Sequence, residues 1–182
     1  MSRTDEEYLG SYGSTRREVS RGVVTFTDTV EMGPLSSDGN MGAAHAADVI
    51  VVEDNDNDAR MTVMALKKIQ PSLTVQVIVD GALAVEALTG PRALRPRLVF
   101  LDLKLPKIGG LEVLRAIKAD PTSSGLTVMV LTSSDEPKDV ARAHELRCDR
   151  YLCKPIDMHE YLQVVREAAT PFLMSAVCHA GC

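Results

Sequence analysis

Five short apolar runs, each followed by a stretch of mixed polarity, divide the chain from Asp48 onward. Val49-Ile50-Val51-Val52 is wholly β-branched and too short for a helix, so it predicts a strand buried on both faces. Asn55 or Asp56 can cap the helix that follows, whose apolar positions Ala59, Val63, Leu66 and Ile69 share one face until Pro71 ends it. Residues 73–79 predict a second strand, and Asp80-Gly81 turns into a short helix that stops at Gly90-Pro91. The third strand is 98–101. Gly109-Gly110 then opens a helix with Leu111, Leu114 and Ile117 on one face, closed by Asp120-Pro121. Residues 126–131 form the fourth strand, 137–146 the fourth helix and 150–153 the fifth strand, and Asp157-Met158-His159-Glu160 has the form of a capping box for a last helix. Five strands alternating with five helices imply an α/β fold: a doubly wound parallel sheet, covered on both faces by right-handed crossovers.

The two ends break this rhythm. Residues 1–47 hold six of the twelve glycines, no lysine and many Ser and Thr, with no sustained helical or strand period. Such a composition buries too little apolar surface to offset the entropy of ordering, so a mostly disordered extension is expected. Val23-Val24-Thr25-Phe26-Thr27 is its one candidate edge strand, and an isolated one. Met32 and Met41 offer internal translation starts, which the intact mass of the native protein would distinguish from Met1. The expected domain runs from 48 to 169, and 170–182 form a C-terminal arm. Its segment Pro171-Phe172-Leu173-Met174-Ser175-Ala176-Val177 is apolar, and either packs back on its own domain or forms an interface.

Composition narrows the function classes. With 45% hydrophobic and 25% charged residues the chain reads as an ordinary globular protein. A net charge of −5 and 4% aromatics, with no Trp, supply neither a field nor stacking platforms for nucleic acid. The start Met1-Ser2-Arg3-Thr4-Asp5-Glu6-Glu7 has no apolar signal core, and no apolar run approaches the roughly 20 residues that span a bilayer, so a cytoplasmic protein without membrane contact is expected. Cys148, Cys153, Cys178 and Cys182 form no C-x-x-C pair and read as reduced thiols; Cys178-His179 and Cys182 offer too few ligands for a tetrahedral ion.

The candidate chemistry comes from where the polar residues fall. Glu53 and Asp54 follow the first strand, Asp102 the third, Thr132 the fourth and Lys154 the fifth. An open parallel sheet binds ligands in the crevice outside the carboxyl ends of its strands, so four strand ends deliver three carboxylates, a hydroxyl and an ammonium to one place. Clustered carboxylates repel unless a cation joins them, and an all-oxygen set suits Mg²⁺, which keeps several waters and accepts a phosphoryl oxygen. Lys154 adds a point charge able to reach Asp102 or a phosphoryl group on it, and Thr132 can donate to another phosphoryl oxygen. Asp56 and Asp58 read as a solvated helix start, where acids favour the dipole. Asp54, Asp56 and Asp58 also mimic half a calcium loop, but Ala59 and Ala65 stand where that loop needs Gly and Glu.

These motifs together resemble the receiver domain of two-component response regulators: Val-Val-Glu53-Asp54-Asn55, Leu101-Asp102-Leu103-Lys104-Leu105-Pro106-Lys107, Gly109-Gly110, Leu131-Thr132-Ser133-Ser134 and Cys153-Lys154-Pro155. The finer texture, Leu-Glu-Val-Leu-Arg-Ala-Ile-Lys after Gly110 and Leu-Thr-Ser-Ser around Thr132, resembles single-domain regulators that partner bacterial phytochrome histidine kinases. The resemblance covers about 48–169. It implies a flavodoxin-like sheet in strand order 2-1-3-4-5, Asp102 as phosphoacceptor, and Mg²⁺ held by Asp54 and Asp102 directly, by Glu53 through water and by the backbone carbonyl of Lys104. It further implies Thr132 and Lys154 as phosphoryl sensors, a cis Lys154–Pro155 peptide, Tyr151 as the switch aromatic, and a sensor histidine kinase as donor. A homodimer through the fourth helix, fifth strand and last helix, with the arm contributing, follows from the same resemblance.

Two rival readings fit less well. A haloacid-dehalogenase-like phosphatase also uses an Asp nucleophile, Mg²⁺ and a Lys, but wants an acid two residues after the nucleophile, where Lys104 stands. A transcription factor needs a further DNA-binding domain of roughly 55–65 residues, more than the arm provides. The expected output is therefore protein–protein contact, with a phosphorelay intermediate or phosphate sink as the alternative.

Overall fold

The computed structural model describes residues 15–20, 23–28 and 47–174. Its strands are β1 (Thr15–Ser20), β2 (Val23–Asp28), β3 (Val49–Val52), β4 (Val75–Ile78), β5 (Leu98–Leu101), β6 (Val128–Thr132) and β7 (Arg150–Cys153). The described helices are α1 (Asp56–Ile69), α2 (Gly81–Leu88), α3 (Gly110–Ala119), α4 (Pro137–Glu145) and α5 (Met158–Met174). The strands lie in the order β1-β2-β4-β3-β5-β6-β7, and β4, β3, β5, β6 and β7 pair in parallel. The five predicted strands thus stand in the order 2-1-3-4-5 of the flavodoxin-like receiver fold.

Alternation along the strands separates two cores. Val49, Val51, Phe100, Met129 and Leu131 face α1 and α5, packing with Leu66, Tyr161 and Val165. Ile50, Val52, Val99, Leu101, Val128 and Val130 face the other way, against Ala84, Leu114 and Ile117 of α2 and α3. The central strands β3, β5 and β6 are buried along their whole length, which is why they read as continuous apolar runs. β7 closes the sheet with a more exposed edge. None of the described helices is long and apolar enough to cross a membrane.

Both ends depart from the expectation. Val23–Asp28 is not an isolated edge strand: β2 pairs antiparallel with β4 on one side and with β1 on the other. The physical reason is the open edge of β4, whose outward N–H and C=O groups seek partners, and β2, with its Val and Thr residues, supplies them. Residues 1–14, 21–22 and 29–46 lie outside the described residues. At the other end, α5 passes 169 without a break, through Pro171 to Met174, with Leu173 buried. The Arg97 guanidinium donates to the carbonyl of Phe172 at 3.2 Å and to that of Leu173, so it caps the last turn from the start of β5. The first part of the arm therefore packs on its own domain; Ser175 to Cys182, with Cys178, His179 and Cys182, lie outside the described residues.

Candidate functional site

The sheet ladder extends past the strand ends and locates the polar side chains. The Glu53 N–H donates to the Ile78 carbonyl at 2.9 Å, that of Asp102 to Val52 at 3.0 Å, and that of Lys154 to Thr132 at 2.8 Å. Carboxylate oxygens of Glu53, Asp54 and Asp102 consequently lie within 4.8 Å of one another, with Glu53 and Asp102 buried and Asp54 exposed. Thr132 is wholly buried beside them. The structure brings together all five residues that the strand ends were expected to deliver.

Lys154 organises this cluster. Its Nζ donates to Glu53 Oε2 at 2.6 Å, Asp102 Oδ2 at 2.8 Å and Asp58 Oδ2 at 2.8 Å. The ammonium is nearly sealed from water, with its side chain 7% exposed. Burial alone would lower its pKa, but the hydrogen bonds to Asp102, Asp58 and Glu53 prevail and raise it. The Lys154–Pro155 bond, expected cis, is trans. Trans is the lower form of a prolyl bond by roughly 0.5–1 kcal/mol, and the lysine reaches all three carboxylates from it.

The carboxylates then differ by environment. Burial pushes the Glu53 carboxyl up to about 7 against the opposing hydrogen bond from Lys154. Burial also acts to raise Asp102, but hydrogen bonds from Lys154 and Thr132 outweigh it and hold that carboxyl below the usual range. Asp102 is thus an ionised, buried carboxylate with an ammonium on one oxygen, while the backbone N–H of Lys104 donates to the other, Oδ1, at 3.2 Å. Four carboxylates around one ammonium retain excess negative charge, and three of them, Glu53, Asp54 and Asp102, form an all-oxygen set with one exposed member that fits a small hard cation keeping part of its water.

On the opposite flank the contacts are mostly neutral. The Ser134 N–H donates to Thr132 Oγ1 at 3.3 Å, and the Ser134 hydroxyl donates to Asp139 Oδ2 of α4 at 2.6 Å. The Tyr151 hydroxyl donates to the Ser134 carbonyl at 2.9 Å, so the aromatic expected to act as a switch is tied to the β6–α4 loop. Lys104, whose carbonyl was expected on a metal, sends its ammonium to Ser133 Oγ at 3.3 Å.

The loop after Asp102 is clamped from behind. A Cβ on Gly110 would stand 2.1 Å from the Asp102 carbonyl oxygen, so no side chain fits there. Lys107 adopts φ +66°, a region L-residues rarely enter, and its ammonium holds Asp80 Oδ2 at 2.7 Å. Asp80, buried, also caps α2 by accepting from Leu83 N–H at 2.8 Å.

Sequence reasoning missed Asp58, which was assigned to the solvated helix start. Its cue was available: it lies in the first turn of the helix that opens just after Glu53 and Asp54, at the same strand end. Ser134 stands in the sequence only as part of a motif; nothing in its residue type marks the three contacts it makes with Thr132, Asp139 and Tyr151.

The comparisons with known proteins agree with this geometry. The family model of the response regulator receiver domain matches residues 49–166. The chain is 34% identical over 123 residues to the probable methanogenesis regulatory protein FilR2 of Methanothrix harundinacea, covering 65% of this chain and 79% of that one. It is 33% identical over 122 residues to response regulator Rcp1 of Synechocystis, covering 65% and 83%. It is 36% identical over 118 residues to the DNA-binding response regulator MtrA of Mycolicibacterium smegmatis, and spans about half of that relative's length, 48%, with 65% of its own. Among solved structures, the phosphorylated cyanobacterial phytochrome response regulator RcpA is 34% identical with a TM-score of 0.66, over 72% of this chain and 97% of that one. The Mn²⁺-bound form of Rcp1 is 32% identical with a TM-score of 0.64, over 70% and 94%. A parallel sheet in this order, an acidic cluster at its carboxyl edge and a family match over most of the described core lead to one assignment: the chain belongs to the response regulator receiver domain family.

Proposed function

We propose that this chain is a single-domain response regulator that accepts a phosphoryl group on Asp102 from a sensor histidine kinase and switches protein–protein contacts. The observation that carries the reading is the state of Asp102: ionised, buried, and paired with Lys154 at the edge of a three-carboxylate cluster. In the transfer, an Asp102 oxygen forms a bond to phosphorus while the bond from phosphorus to the donor's imidazole nitrogen breaks. Lys154 and the Thr132 hydroxyl stand beside that carboxylate and would meet the negative phosphoryl oxygens. Asp54 and Asp102, with Glu53 acting through water and the Lys104 carbonyl completing the set, would hold Mg²⁺. Such an ion supplies charge neutralisation for the incoming phosphoryl oxygens. The Mn²⁺-bound form of Rcp1 supports a divalent ion in this fold, and RcpA, a phytochrome response regulator in phosphorylated form, supports a bacterial phytochrome as the sensor class.

The switch would run through Thr132 and Tyr151, because the phosphoryl group competes for the Thr132 hydroxyl and the β6–α4 loop is held by Ser134 contacts on both sides. The output face comprises α4, β7 and α5, and a homodimer through it, joined by the arm, is the proposed assembly of a cytoplasmic protein. The exposed edge of β7 supports that choice.

Acetyl phosphate with Mg²⁺, followed by intact mass, tests the central claim. Wild type should gain one phosphoryl group and Asp102→Asn none; no gain on wild type, or equal gain on both, would overturn it. Light scattering at tens of micromolar, a concentration suited to interfaces of standard size, should report a dimer, and a monomer there removes the assembly proposal.

A further inference from the structure

We infer that Asp58 is a positioning residue for Lys154, holding its ammonium at Asp102 while the other two acidic partners are engaged elsewhere; this rests on the phosphoacceptor reading above. An ammonium has three N–H donors, and here all three are used, on Glu53, Asp58 and Asp102. A cation bound to Glu53, Asp54 and Asp102 would compete with Lys154 for two of its three partners. Phosphorylation would remove a negative charge from the Asp102 carboxylate itself, because one oxygen becomes part of the acyl phosphate. Asp58 stands outside the three-carboxylate metal cluster and is not the acceptor. It is therefore the partner that stays when the others are drawn away.

The surroundings of Asp58 suit this task. It sits in the first turn of α1, whose start is capped by Asn55: Asn55 Oδ1 accepts from the N–H groups of Asn57 at 2.9 Å and Asp58 at 3.2 Å. The Asp58 carboxylate is therefore not spent on the cap. Its backbone is braced from two sides, since its carbonyl accepts from the Thr62 hydroxyl at 3.0 Å and the Tyr161 hydroxyl at 3.3 Å. Thr62 and Tyr161 are both buried, with their hydroxyl oxygens 2.9 Å apart, so α5 fixes the segment of α1 that carries the carboxylate. Asp58's side chain is 24% exposed, against 4% for Glu53 and 6% for Asp102, so it holds the ammonium from the solvent side.

The test is a double-mutant cycle on the full chain, read as the initial rate of phosphorylation by acetyl phosphate with Mg²⁺. Asp58→Ala should slow the wild type roughly tenfold, within the range of coupling between residues in direct contact, and Asp58→Asn, which keeps an acceptor, should fall between. In a Lys154→Ala background Asp58→Ala should change nothing further. A merely structural role would give the same factor in both backgrounds, and that result, or an unchanged rate in the wild-type background, overturns the inference. A second readout does not depend on phosphorylation: the ¹⁵N resonance of the Lys154 ammonium should stay protected from exchange when Mg²⁺ is added to wild type, and lose protection in Asp58→Ala. Equal protection in both counts against Asp58. If wild type itself takes up no phosphoryl group, the phosphoacceptor reading falls, and this one with it; a phosphorylated wild type with an inert Asp58 overturns this one alone.

Discussion

The two flanks of Asp102 are built on different principles. Toward β3 and α1 lie formal charges: one ammonium among Glu53, Asp58 and Asp102, with Asp54 at the rim. Toward β6 and α4 lie hydroxyls and main chain: Thr132 and the Ser134 carbonyl held by Tyr151, with the Ser134–Asp139 and Lys104–Ser133 hydrogen bonds as the links to charge. Charged groups out of water interact strongly and are costly to separate, whereas each neutral hydrogen bond contributes only about 1 kcal/mol net. The first flank therefore holds its geometry, and the second is cheap to rearrange. A receiver that must bind a phosphoryl group in a fixed place and then move something needs one flank of each kind.

Breaking the charged flank should have the largest effect. Lys154→Ala leaves three carboxylates without their cation, and loss of one partner of a buried ion pair costs about 3–5 kcal/mol. The metal-free variant should therefore melt well below wild type, and Mg²⁺ should raise its Tm more than it raises that of wild type; equal Mg²⁺ shifts would show that the ammonium does not neutralise the cluster. Phosphorylation by acetyl phosphate should fall by about 100-fold, the scale of losing one well-placed donor.

Disturbing the support beneath Asp102 comes next. Gly110→Ala would force a Cβ against the Asp102 carbonyl, and overpacking of this kind costs about 1–3 kcal/mol. Urea unfolding should show the loss, with phosphorylation slowed as well because the acceptor's own backbone must shift.

Asp80→Asn tests the neighbouring loop clamp. The Lys107 ammonium, followed by the Leu83 N–H, holds Asp80 below the usual carboxylate range. A carboxylate with a lowered folded-state pKa contributes stability above its unfolded value, and that contribution is lost as pH falls through the folded value. Asn keeps the cap but loses the ion pair, so Asp80→Asn should cost up to about 1 kcal/mol near pH 7, the scale of a pair with one exposed partner, and the gap to wild type should narrow below the unfolded value of 3.8. A gap that is constant with pH would show that the clamp is not electrostatic.

The smallest effect belongs to the neutral flank. Tyr151→Phe keeps the ring and frees the Ser134 carbonyl, so stability should fall by no more than about 1 kcal/mol, while amide exchange in residues 133–135 accelerates. A loss as large as that of Lys154→Ala would erase the distinction between the two flanks.

How much of this was legible in the sequence follows the same physics. β3, β5 and β6 are buried on both faces, so their apolar runs could hardly be anything else, and the residues at their carboxyl ends followed directly. β1 was invisible because Thr-Arg-Arg-Glu-Val-Ser carries no apolar alternation from which to read a strand; its pairing with β2 is a long-range fact that no local pattern holds. Asp58 was hidden by ambiguity, since an acid in a first turn is explained equally well by the helix dipole, and only the reach of Lys154 from the far strand separates the two roles. The passage of α5 through Pro171 is backed by tertiary contacts, the burial of Leu173 and the Arg97 guanidinium on the last carbonyls, that no local pattern carries.

The Arg97 cap has a further consequence for anyone handling the molecule. It pins the end of α5 at the start of β5, the opposite end of the sheet from Asp102. Five residue steps along the strand, at about 3.3 Å each, put roughly 17 Å between Arg97 and Asp102. A fluorophore attached at the exposed position of Met174 is therefore held away from the phosphoacceptor, which makes the end of α5 a natural site for a reporter that leaves the acidic pocket accessible.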